Sequence, residues 1–122
     1  MALYINDPNI CKLALSPFGI QSIKKFITEK DGEEPLLEKK MTISGFGYNL
    51  LTRCWSSSDG VNFKKDEKAL TNTLMVTGAQ IVVNPTMDKN RENYTNELAY
   101  FIENLPQLAR DYKIENILNE RD

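Results

Sequence analysis

The chain contains no histidine. That absence removes Ser-His-Asp and Cys-His nucleophile systems, zinc sites built on imidazole, and any histidine pH switch. Cysteine is nearly as scarce. Cys11 and Cys54 are the only two, too few for a site of four thiolates. Nothing marks the chain as secreted, so both are expected to be buried, reduced thiols rather than a pair. A basic excess is missing as well. Fifteen Lys and Arg stand against seventeen Asp and Glu, for a net charge of −2. A nucleic-acid partner calls for a cationic stripe that displaces phosphate counterions, and the charge balance argues against one. No run approaches the ~18 apolar residues of a membrane span. The opening MALYINDPNICKLAL has no basic n-region and meets Asp7 and Pro8 before an apolar run builds, unlike a signal peptide. The expected setting is cytoplasmic, with no membrane partner.

What is present suits one globular domain. Of 122 residues, 41% are hydrophobic and 26% charged, ordinary values for a folded chain with a modest core. The expected domain is 1–122, with 119–122 as a frayed tail. Ala2 to Ile5 reads as a short edge strand. Asp7-Pro8 reads as a helix start, Asp as N-cap and Pro at the first helical position. That helix would bury Ile10, Leu13 and Ala14 and end at Ser16-Pro17. Phe18 to Lys30 supports two readings. Ile20, Ile23 and Ile27 follow helical spacing, and Ser16-Pro17 would start such a helix. The favoured reading is a strand over Lys25 to Glu29, an Asp31-Gly32 hairpin turn, and a second strand over Leu36 to Ile43.

The middle of the chain is aromatic and strand-like. Gly45-Phe46-Gly47 interrupts the pattern and predicts a bulge or sharp bend. Tyr48 to Trp55 carries bulk on both faces, so both faces should be covered, the second by a helix or another subunit. Ser56 to Phe63, with Asp59-Gly60, closes a hairpin. Lys64 to Lys68 reads as a solvated loop. Thr73 to Val83 reads as one strand ending at Asn84-Pro85. Asp88 is a candidate N-cap for a helix in which Tyr94, Leu98, Phe101, Ile102 and Leu105 recur at spacings of three and four. Pro106 breaks it.

Five groups of residues are candidates for chemistry. Gly45-x-Gly47 could bring backbone amides to a phosphate, but Leu50 stands where a dinucleotide fingerprint needs a third glycine, and no Gly-Lys-Ser/Thr occurs. A strand bulge explains the pair better. Ser56-Ser57-Ser58 lacks a histidine base and sits at an exposed hairpin tip, where water would not be excluded. Glu33-Glu34 and Asp66-Glu67 are adjacent pairs beside turns, which are more often solvated than converging. Arg53 shares a strand face with Trp55. Together with Phe46 and Tyr48 they form the candidate partner- or ligand-binding set, because Arg and aromatic residues dominate binding hot spots; packing of Arg53 across Trp55 is the alternative. Last, Tyr94, Leu98, Phe101 and Leu105 are the candidate oligomer interface, the alternative being packing on the chain's own sheet.

The sequence therefore predicts an α+β fold: an antiparallel sheet of four to six strands, with a C-terminal helix, broken near Pro106, packed on one face. The expected function is non-enzymatic. A small binding, assembly or inhibitor-type protein would associate with itself as a homodimer or higher homo-oligomer and dock a protein partner. No cofactor, metal or catalytic residue is expected. A second reading is a sensor or sponge in which Gly45, Gly47, Tyr48 and Arg53 hold an anionic, nucleotide-like ligand. The third is an enzyme working through carboxylates or lysine.

Overall fold

The computed structural model describes residues 2–43, 45–56, 61–62, 64–85 and 93–120, except the side chains of 54–56, 65–68 and 114–120. Helix α1 (Pro8–Leu15) follows strand β1 (Leu3–Ile5) and begins as its sequence predicts. Asp7 Oδ1 accepts hydrogen bonds from the amides of Asn9 at 2.9 Å and Ile10 at 3.3 Å, and Pro8 occupies a first-turn position that needs no amide partner. Ser16 then serves two helices. Its hydroxyl donates to the Leu13 carbonyl at 2.6 Å and accepts from the Gly19 amide at 3.1 Å, closing α1 and opening α2 (Pro17–Asp31).

Helix α2 overturns the favoured strand over Lys25 to Glu29. Ile23 and Ile27 are both fully buried, while Lys25, which a strand would place on the same face, is exposed, the pattern of a helical period. Gly32 is not a hairpin turn residue. It is the left-handed C-cap of α2, with φ of 80° and its amide donating to the Thr28 carbonyl at 2.8 Å. The second half of that expectation stands: β2 (Leu36–Thr42) is a strand, and it pairs with β3 (Gly45–Ser56).

Strand β4 (Lys64–Val76) returns along β3, and β5 (Ile81–Val83) along β4. Two expectations change here. Thr73 to Val83 is not one strand, because the chain reverses between Thr77 and Gln80. The Thr77 hydroxyl accepts from the amides of Ala79 and Gln80 and donates to the Gln80 carbonyl, at 3.0–3.3 Å. This turn holds the reversal without an Asn-Gly or Asp-Gly pair. Lys64 to Lys68 is strand rather than loop. Trp55 pairs with Lys65 and Cys54 with Asp66, and such backbone pairing does not depend on apolar side chains.

Among the described residues the sheet has five antiparallel strands in the order β1-β5-β4-β3-β2. Register aligns side chains in rows across it. Leu3, Val83, Leu74, Leu50 and Leu37 form one row; Ile5, Ile81, Val76, Tyr48 and Lys39 form the next. These rows face the helices. Cys11, Ala14, Ile23, Ile27, Leu98, Ile102 and Leu105 join their buried members in one apolar cluster. Each fully buried aliphatic side chain there contributes about 1.5–3 kcal/mol. The opposite face carries Tyr4, Val82, Met75, Asn49 and Glu38 in register.

The C-terminal helix pair is α3 (Tyr94–Glu103) and α4 (Leu105–Glu120). The break falls at Asn104, just ahead of Pro106. The Asn104 side-chain amide donates to the Tyr100 carbonyl at 2.9 Å, and Pro106 lies in the first turn of the next helix, where its missing N–H costs nothing. The candidate cap Asp88 lies outside the described residues. The fold is thus α+β, an antiparallel sheet with a broken C-terminal helix on one face, as the sequence predicts.

Candidate docking surface

The hairpin β2–β3 turns through two residues, because Thr42 pairs with Gly45. Gly45 has φ of 120°, a backbone that side chains disfavour. Gly47 is needed for a different reason. A Cβ there would lie 2.9 Å from the Val76 carbonyl oxygen, where the β4–β5 turn passes over β3. The Gly-x-Gly is therefore a turn and a close approach, and its glycines have structural reasons to be there.

The four residues of the candidate binding set part company. Tyr48 is 1% exposed and reaches under the helices, where its hydroxyl donates to the Ala14 carbonyl at 2.8 Å. Burial pushes the hydroxyl pKa well above the usual tyrosine value. Phe46 is half-buried, its ring 6.2 Å from that of Tyr48. Arg53 lies between two register shifts, on the part of β3 that runs beyond β2. The side chain of Trp55 lies outside the described residues. Arg53 Nε donates to Glu33 Oε1 at 3.2 Å, and the pair borders an open groove of about 550 Å³ between Leu36, Leu37, Leu51 and Leu70. Next to it, Lys24 Nζ meets Glu34 Oε1 at 2.7 Å and holds that carboxyl below the usual carboxylate range. The side chains of Asp66 and Glu67 lie outside the described residues.

The candidate oligomer stripe is mostly interior. Tyr94, Leu98 and Leu105 are buried in the chain's own core, so they are not available as an oligomer interface, and the alternative of packing within the chain holds for them. Phe101 alone is half-buried. It stacks on Phe26 at 4.6 Å between ring centres, at the end of a second groove of about 430 Å³ that includes Phe18, Leu108 and Tyr112. Cys11 is a free thiol, fully buried; burial first, then the charge of Asp7, raise its pKa. Among the described residues, no cluster of three or more Cys, Asp or Glu is placed to hold a metal ion. No described helix is long and apolar enough to cross a membrane.

Part of the exposed apolar surface lies on and beside β2. Leu36 is 56% exposed, Met41 82% and Leu70 45%, with Ile43 fully exposed at the hairpin turn. Three of the four belong to β2 or its turn, and among the described strands β2 has a paired neighbour on one side only. Between Leu37 and Met41 the strand carries Glu38, Lys39 and Lys40, all exposed. The sequence pattern LLEKKMT gave no hint of this, since it lacks the alternation that marks a one-sided strand. Comparison of the chain with protein-family models, curated proteins and solved structures gives no match.

Proposed function

We propose that this chain is a non-enzymatic binding and assembly protein, of accessory or inhibitor type, that associates with itself and docks a protein partner. One observation carries the reading. The outer side of β2 offers a seven-residue strand with no outer neighbour among the described elements, flanked by exposed Leu36, Met41 and Ile43. Unpaired strand edges invite another strand, and main-chain hydrogen bonds then supply affinity. The neighbouring groove, with Leu70 and Arg53 on its border, offers the apolar and cationic contacts that fix a partner's side chains. A reducing, cytoplasmic setting goes with the buried free thiol of Cys11.

The nucleotide-like ligand reading has less behind it, because Tyr48 is closed to a ligand and Arg53 already faces a carboxylate. The test compares bait proteins in the native host. Tagged wild type is expected to recover a defined protein that a Leu36→Glu, Met41→Glu bait does not. Equal recovery by both baits counts against this surface. Light scattering on the purified chain tests self-association, and a strict monomer at high concentration counts against that half of the reading.

A further inference from the structure

The outer edge of β2 is self-complementary. In a two-residue hairpin the residues flanking the turn form a hydrogen-bonded pair, and such pairs then alternate. Thr42–Gly45 is that closing pair, so Lys40, Glu38 and Leu36 turn their backbone groups inward to β3. Leu37, Lys39 and Met41 turn theirs outward. An antiparallel neighbour must match outward residues with outward residues, which keeps the helices of both chains on the same side of a joined sheet.

We infer that the occupant of this edge is a second copy of the chain, paired antiparallel through β2 about a two-fold axis at Lys39. This rests on the self-association proposed above and names its surface and register. Lys39 is the midpoint of Leu36–Thr42, so this register pairs the whole strand. Leu37 then lies opposite the partner's Met41, and Leu36 opposite the partner's Thr42. Glu38 lies opposite the partner's Lys40, and the symmetry repeats that pair. Both charge pairs occupy non-hydrogen-bonded positions, where facing side chains approach most closely. Shifting by two residues in either direction sets Glu38 against itself or Lys40 against itself. Within one chain, Glu38 and Lys40 are half exposed and only 3.9 Å apart at best, and Glu38 also accepts from Asn49 Nδ2 at 3.4 Å. Both long contacts leave the charges available for stronger ones.

The pairing has one opposing contact. Lys39 meets the partner's Lys39 on the axis, on the helix side, and like charges directly opposite weaken a sheet. Lysine on an edge is also a guard against unspecific pairing. Here Lys39 weakens the pairing, while Glu38 and Lys40 select the register and disfavour its neighbours.

Sedimentation equilibrium on the full chain decides the matter. Glu38→Lys and Lys40→Glu are each expected to weaken association roughly tenfold or more, since two symmetric attractions become repulsions. The double exchange is expected to restore it, and Lys39→Thr to strengthen it. All four changes lie on exposed positions, and circular dichroism checks that the fold is kept. Association that ignores the single changes, or that the double exchange fails to restore, overturns this interface and leaves self-association through another surface. A wild-type chain that stays monomeric into the millimolar range overturns both.

Discussion

The two edges of the sheet are built on opposite plans. β1 is three residues long, and its Leu3 and Ile5 side chains enter the core cluster. β2 is more than twice as long, and six of its seven residues are exposed. One edge is closed by brevity and by burial. The other is guarded only by Glu38, Lys39 and Lys40. Edge strands are places where sheets add neighbours, so the asymmetry sets a buried edge against one with no outer neighbour among the described strands.

Three tests would break or sharpen that contrast. The largest effect is expected at Ile5, 6% exposed on β1. Ile5→Ala should cost about 2–5 kcal/mol, from lost transfer energy and the cavity left behind, read as a lower urea midpoint. A loss below about 1 kcal/mol would mean that β1 is no more anchored than β2.

The next concerns Tyr48, which ties the sheet to the α1–α2 corner. Tyr48→Phe leaves the buried Ala14 carbonyl without its donor and should cost about 1–2 kcal/mol. It should also change the alkaline limb of stability. Burial raises the Tyr48 pKa in the folded chain, so its stabilising effect is complete below the unfolded value near ~10. Above that pH the unfolded state loses the proton first, and stability falls by up to about 1.4 kcal/mol per pH unit from this group. Denaturation midpoints between pH 9 and 11 (a range chosen about that ~10) should decline in the wild type and flatten in Tyr48→Phe. Equal slopes would mean that the hydroxyl is not confined in solution.

The smallest effect belongs to the bare edge. Leu36→Ala and Met41→Ala should each change stability by less than about 0.5 kcal/mol, as exposed substitutions do, while weakening association. A large stability loss in dilute protein would show that β2 is covered by its own chain.

The parts of the fold that were legible in the sequence are the ones decided locally. Asp7-Pro8 caps α1 through atoms two and three residues away, and Ser16-Pro17 does the same for the next helix. Asp31-Gly32 misled because one left-handed glycine serves a helix end as well as a hairpin. Which of the two forms depends on whether Ile23 and Ile27 find a sheet to cover, a long-range matter. The turn at Thr77 was hidden because a hydroxyl, not an Asn or Asp beside a glycine, holds it. Arg53 was rightly placed on a strand, yet its neighbour Glu33 comes from a distant loop. Tyr48 looked like a binding residue because aromatic bulk reads the same in a core and at an interface. The exposure of Met41 and Ile43 goes with an edge that has no outer neighbour among the described strands, and no periodicity in LLEKKMT encodes that.

The pairing of β1 with β5 has a consequence for how the chain is made. Leu3 meets Val83, about eighty residues later in the sequence. At the usual pace of synthesis, about 5–20 residues per second, the first strand waits several seconds for its partner. The α1–α2 corner, joined by one serine hydroxyl, needs no such wait. The α1–α2 corner and the central hairpins are thus complete in sequence before β5 exists, and β1 can close the sheet only after them.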